Sequence, residues 1–421
     1  MNDELDDLSR RYVELGFGIE RHQQGTVDAY FGPERIRDEA LAGPARSPDD
    51  LLDRATSLLA DVTNADLPAS RTDYLTAQVQ ALHTTCRKLV GEAIPYRDEI
   101  QLCFDIEPEK IPETLYDEAI AALGDALPGE GDIPARMIAW REQFEIPVET
   151  ARLMIERIAD EARTRSAAFA ALPDGEGIEV SMVSGQPWSG YNWYLGGCRS
   201  LIEINTDLPI RANALLDLIC HEGYPGHHTE HAVKEQELYR AGGYGEHAIQ
   251  LINTPECVIS EGIATLAEGI IFRPDEAAAW RREHLYRPVG IEVDSDRERQ
   301  IAEAQQALKS VAGNAALLLH EEGVAAEDVV AYIERYGLET PERARHRFSF
   351  ISDPLWRAYV FTYHVGYDLL GAWLDAPEDP EDGEPDVISA GVTPHDRRQA
   401  RFGRLLAGQV TPSAIRSQLG E

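Results

Sequence analysis

The sequence predicts a mainly α-helical fold with one small β-sheet set next to a histidine-rich helix. Apolar residues recur at helical spacing through most of the first 172 residues and again after residue 211. Between Ile178 and Asn205 the pattern changes to alternation, with a cluster of Tyr, Trp, Asn and Gly. No apolar run reaches the roughly 18 residues a membrane span needs.

The elements follow in order. Leu5 to Ile19 is an amphipathic helix. Ser47-Pro48-Asp49-Asp50 is a helix start, an N-cap followed by proline and acids suited to the dipole, and leads into Leu51 to Val62. Leu67 to Ala93 is a longer helix, and Pro112 opens another to about Leu127. After the loop Pro128 to Asp132, helical pattern resumes at Ile133, breaks near Pro147 and runs on to Leu172. Ile178 to Val183, Gly190 to Cys198 and Ser200 to Asn205 form the one sheet-like region. Arg211 begins an apolar helix, and Ala232 to Tyr239 continues helically before the loop Gly242 to Gly245. Pro255 begins another helix; Asp294 to Glu322 is a long one kinked at Gly313, and Pro354 to Leu374 a further one. Asp375 to Asp386 is an acidic, proline-broken mobile loop. Thr393-Pro394 and Thr411-Pro412 start two closing helices. The simplest organisation is a single mostly helical unit over 1–421, with a helical part at 1–172, a core with the sheet and the histidine-rich helix at 173–375, and the acidic loop and closing helices at 376–421.

Net charge is −35, from 74 Asp+Glu against 39 Lys+Arg, and the only lysines are Lys88, Lys110, Lys234 and Lys309. Such an acidic, lysine-poor surface suits high salt, where screening over about 3 Å at 1 M weakens self-repulsion. A halophilic, archaeal source is the reading. The same charge excludes nucleic acid as a partner. Cys86, Cys103, Cys198, Cys220 and Cys257 form no C-x-x-C pair, which fits a reducing compartment and excludes a cysteine-based zinc finger. The acidic start has no apolar signal segment, so a cytoplasmic location is expected, with no membrane partner.

Chemistry concentrates in Cys220-His221-Glu222-Gly223-Tyr224-Pro225-Gly226-His227-His228-Thr229-Glu230-His231, four histidines and two glutamates within twelve residues. A His-Glu dyad at a helix end is what a hydrolytic zinc site uses: the imidazole ligates, and the carboxylate takes a proton from the attacking water. The usual H-E-x-x-H spacing puts both histidines on one helix face. Here i+4 is Pro225. His227 at i+6 would point roughly 240° round an unbroken helix, and His228 at i+7 would sit about 10 Å along the axis. The helix must therefore deform, and Pro225 and Gly226 permit a bulge that swings His227 back beside His221. The deformed helix could instead present His228, which stays an alternative ligand. Cys220 points about 100° from His221 and reads as core. His22, His83 and His320 have no second histidine nearby and read as structural.

H-E-G-Y-P-G-H-H resembles the H-E-x-x-P-G-H signature of the domain-of-unknown-function 885 family, a branch of the gluzincin-type zinc metallopeptidases. Glu261-Gly262-Ile263-Ala264 resembles the family's E-G-x-A, and Tyr363-His364-Val365-Gly366 its late Y-x-x-G. The three patches occur in family order and span roughly a third of the chain. The resemblance implies a helical oligopeptidase- or carboxypeptidase-like architecture and one zinc per chain, held by His221, His227 and Glu261. It further implies Glu222 as general base and a peptide substrate. Glu256 and Glu268 compete with Glu261 on the same helix, and Thr265 stands where many gluzincins carry a supporting acid. Tyr363 or His364, with Arg357 and Tyr359 nearby, would stabilise the oxyanion. Such peptidases hold substrate against an edge strand. Leu201 to Asn205, with Ile202 and Asn205, is the candidate strand, and Tyr191 to Tyr194, with Tyr191 and Asn192, the candidate pocket wall; the rival reading is a structural hairpin over packed aromatics. Rival functions are hydrolysis of a non-peptide amide or ester and a catalytically inactive binding protein.

Overall fold

The computed structural model describes residues 5–186, 188–207, 209–377 and 393–420. The first helix is Asp7–Glu20. Ser47 accepts the Asp50 amide and opens Pro48–Asn64. Ala69–Leu89, Glu113–Ala126 and Ile133–Glu142 follow the apolar periodicity, and Val148–Ser166 stops short of Leu172. Thr393 closes a reciprocal capping box on Pro394–Ala407, and Thr411 caps Pro412–Leu419. The fold is mainly α. Among the described residues no helix is long and apolar enough to cross a membrane. All five cysteines are buried and free.

Among the described residues, seven short strands make three small sheets: β1 (Val27–Tyr30), β2 (Glu145–Ile146), β3 (Gly177–Val183), β4 (Gly190–Gly196), β5 (Arg199–Asn205), β6 (Ile210–Arg211) and β7 (Ile249–Leu251). Sheet structure is thus not confined to 178–205. β1 and β7 pair antiparallel across most of the N-terminal half, and strands this short carry no alternation to detect. In the three-stranded sheet β5 is the middle strand, parallel to β3 and antiparallel to β4. Both its edges are hydrogen-bonded, so it cannot take an added strand, which corrects the expectation for Leu201 to Asn205. The turn between β4 and β5 folds back through Gly196, Gly197 and Cys198, all with positive φ.

Two long helical expectations are shortened. Asp294 to Glu322 divides into Ser295–Ala307 and Val311–His320 around a 3-10 turn at Leu308–Ser310, ahead of Gly313. Pro354 to Leu374 is α-helical only over Phe361–Asp375; before it, Asp353 accepts the Leu355 amide and the chain runs in turns. The acidic stretch 378–386 lies outside the described residues.

Four helices make the frame of the site. Ala212–Glu222 packs on Val148–Ser166 and on Pro255–Ile271, and the latter packs along Phe361–Asp375. That last contact is backbone to backbone. A Cβ on Gly262 would lie 2.6 Å from the Gly366 carbonyl oxygen, and one on Gly366 2.4 Å from that of Val258. The glycines of E-G-I-A and Y-x-x-G are therefore one device. They let the two helices lie close enough that Tyr359, in the turn just before the second helix, reaches Glu261 on the first.

Candidate metal centre

The helix Ala212–Glu222 buries Leu215, Leu216, Ile219 and Cys220 in the main core, which leaves His221 on its other side. It ends at Glu222. The next four residues, Gly223 to Gly226, are non-helical, with a cis Tyr224–Pro225 peptide, and a new helix starts at His227–Lys234. The expected bulge is thus a complete break. Gly226 donates its amide to the Cys220 carbonyl at 3.0 Å. A Cβ on Gly226 would stand 2.0 Å from the His221 carbonyl oxygen, so only glycine fits this return. The break brings the His221 and His227 rings to 4.8 Å between centroids.

Glu261 arrives from the helix Pro255–Ile271. Its Oε2 lies 3.5 Å from His221 Nε2 and 3.9 Å from His227 Nε2. Oε1 accepts from the Tyr359 hydroxyl at 2.8 Å, whereas Oε2 is buried with no partner. The ligand atoms of His221, His227 and Glu261 all lie within 4.8 Å of one another, so the group could hold a metal ion. A buried carboxylate oxygen aimed at two imidazole nitrogens is costly without a cation between them, and the donor set suits one.

A chain of polar contacts fixes His227. Its Nδ1 is 3.0 Å from Ser260 Oγ, and Ser260 donates to Glu230 Oε2 at 2.6 Å. Glu230 Oε1 accepts from Lys234 at 2.7 Å, and Lys234 also pairs with Glu256. Since Ser260 spends its proton on Glu230, it accepts from Nδ1–H, and the Nε2 lone pair is left facing Glu261. The supporting acid is therefore Glu230, reached through Ser260. Thr265 instead donates to the Glu261 carbonyl at 2.6 Å. Among the competitors, Glu256 serves Lys234, and Glu268 pairs with Arg281. His227, Glu230 and His231 form a second group with metal-compatible spacing, but both Glu230 oxygens are already engaged.

Burial governs the titration of the site. It pushes the Glu222 carboxyl up to about 8, helped by the charges of Glu261, Asp217 and Asp28. Burial also raises Glu261 to about 8 against the Tyr359 hydrogen bond, and lowers His221 to about 4. His227 moves down through burial and the neighbouring His221 and His231. Neutral imidazoles are the ligating form.

A cavity of about 510 Å³ opens onto this group. Glu222, Tyr191, Asn192 and Tyr363 line it with the three metal-compatible residues. Asn192 Nδ2 donates to the Glu222 carbonyl at 2.5 Å, and Tyr191 to Asp28. Ile202 does not reach the cavity; it is buried in the core beneath the sheet. Asn205 is also elsewhere, donating to the Gln186 carbonyl at 2.8 Å. His364 packs against Phe361 and Gly313, off the cavity, and Arg357 pairs with Glu99. His228 faces the opposite way: Nδ1 is 2.8 Å from Ser200 Oγ and Nε2 3.0 Å from Glu176 Oε2. His22 and His320 contact the Arg46 and Ile351 carbonyls. Sequence reading missed Asp28, Ser260 and Glu230. Glu230 lies three residues after His227, so helical spacing could have flagged it, whereas Ser260, adjacent to Glu261 in sequence, carried no such signal.

A scan against protein-family models finds no match, and neither does a search of curated proteins. Among solved structures, the chain is similar to a protein of Colwellia psychrerythraea described as a "putative lipoprotein", with TM-score 0.53 and 15% identity over 92% of this chain and 68% of that one. A Shewanella oneidensis protein, described as "a putative lipoprotein of unknown function", matches with TM-score 0.47 and 12% identity over 99% and 83%. At 15% identity, the Colwellia likeness establishes a shared fold.

Proposed function

We propose that the chain is a zinc-dependent metallopeptidase, in which His221, His227 and Glu261 hold the ion and Glu222 is the general base. The observation that carries this is Glu261: buried, bonded through Oε1 to Tyr359, and left with Oε2 unpaired beside two imidazole Nε2 atoms. Two imidazoles and a carboxylate are the donor set that binds zinc with one position open. When bound, zinc supplies a Lewis acid that polarises the scissile carbonyl and acidifies water.

The chain's own residues do the rest. Glu222 lines the cavity beside the ligand set, where its carboxylate accepts a proton from the attacking water and returns it to the leaving amine. The Tyr363 hydroxyl, on the cavity wall, donates to the oxyanion; His364, off the cavity, has no such role. Asn192 braces the end of the motif helix through the Glu222 carbonyl. β4 rather than β5 borders the cavity, so the substrate chain lies along Tyr191 and Asn192. The resemblance of the three sequence patches to the domain-of-unknown-function 885 family and the gluzincins supports the same assignment. Glu222→Gln tests it in a peptide-library assay in high salt with zinc supplied. Turnover is expected to fall roughly 10²–10⁴-fold with zinc content unchanged. Wild-type turnover in that variant would refute the base assignment.

A further inference from the structure

The cavity beside the metal-compatible group is unbalanced in its polar lining. Five carboxylates line it: Asp28, Glu222, Glu256, Glu261 and Asp353. With Glu222 and Glu261 assigned to the reaction centre, three remain. Among the described residues no arginine lines it and Lys234 is its single lysine, already held by Glu230 and Glu256. Unpaired buried atoms tilt the same way. Asn192 Oδ1, Gln250 Oε1 and Glu256 Oε2 are acceptors without partners, against one unpaired donor, Gln78 Nε2. Asn192 is 8% exposed, and its amide orientation is fixed because Nδ2 must donate to the Glu222 carbonyl. The acceptors come from three elements: β4, the helix Pro255–Ile271 and the β1–β7 ribbon. In the ribbon Gln250 pairs with Ala29, and the register shifts between Val27 and Ala29, which leaves Asp28 as the unpaired bulge residue on the cavity wall. Bulges re-aim side chains in this way beside active sites.

We infer that this cavity recognises its substrate through a protonated amine, held by Asp28, Gln250 and Asn192. An alkylammonium brings one positive charge and three N–H donors, which is what a cavity of unpaired acceptors and excess carboxylates lacks. The amine belongs to the free N-terminus of a peptide or to a lysine side chain. The inference rests on the peptidase reading of the same site.

The test is calorimetric binding to zinc-loaded Glu222→Gln in high salt, which prevents turnover. The probes are tetra-alanine, its N-acetylated form, and acetylated peptides with one alanine replaced by lysine or by norleucine. A free amine is expected to bind roughly 10- to 100-fold more tightly than its blocked or isosteric counterpart. A gap between free and acetylated tetra-alanine assigns the N-terminus; a gap between lysine and norleucine assigns the side chain. Asp28→Asn should narrow the gap, and Gln250→Glu should widen it, a gain that misfolding cannot mimic. Equal binding of all four probes would overturn the amine inference and leave the peptidase reading standing. Binding of none would overturn both.

Discussion

Glu176 and Glu261 are both buried, and each stands against a histidine of the same broken helix, Glu176 against His228 and Glu261 against His227 and His221. Their surroundings differ in completeness. Glu176 is bonded by His228, by the Tyr224 hydroxyl at 2.6 Å and by Arg163 at 2.6 Å. Burial raises its carboxyl, but His228, Tyr224 and Arg163 outweigh that and bring it to about 2. Glu261 has one partner and an unpaired oxygen, and burial carries it up to about 8. One glutamate sits in a finished structural network that clamps the Tyr224-Pro225 turn. The other sits in a network short of one positive charge. Adjacent histidines thus serve different ends, and the one-residue offset between them decides which.

The strongest break in this comparison is Glu176→Ala. It strips the clamp from a buried histidine and tyrosine and should cost about 3–5 kcal/mol in denaturant unfolding, since one partner of a buried pair is removed. The folded fraction should keep its metal stoichiometry. Loss of metal without loss of stability would move Glu176 into the site.

Next comes acid unfolding. The Glu176 carboxyl is lowered in the folded state, so its contribution is complete above the ordinary value of 4.5 and is lost as pH falls toward about 2. His228 is lowered too, chiefly by burial, so the folded state resists its protonation and stability begins to fall below about 6.5. Glu176→Gln should flatten the pH dependence of stability between pH 4.5 and 2, read by thermal melts. An unchanged slope would contradict the network.

A smaller effect is expected from Ser260→Ala, which cuts the relay from Glu230 to His227. Metal affinity should fall roughly 10- to 100-fold, measured by chelator competition, with stability little changed. Wild-type affinity would mean that the tautomer of His227 is set by something other than Ser260. The smallest effect belongs to Asn205→Ala, a half-buried position at the end of β5. Loss of its hydrogen bonds to Gln186 and Asp207 should cost about 1 kcal/mol of stability and leave peptide binding unaltered.

The helices were legible because their apolar spacing and caps are local: Ser47, Thr393 and Thr411 open helices where read. What escaped was non-local. β1 and β7 exist only through each other, so Asp28 gave no warning of its place on the cavity wall. The order β3-β5-β4 depends on where a turn folds back, and that put Ile202 and Asn205 away from the cavity. Within the motif, helical geometry correctly demanded a deformation at Pro225-Gly226. It could not choose between His227 and His228, because the choice depends on how far the chain turns across Gly223 to Gly226 before the next helix starts.

That choice is also the most direct test of the metal centre: zinc per chain, measured in high salt for wild type, His227→Ala and His228→Ala. The account predicts one zinc in wild type, loss in His227→Ala, and retention in whatever fraction of His228→Ala folds. Zinc kept by His227→Ala, or none bound by the wild type after supplementation, would contradict it.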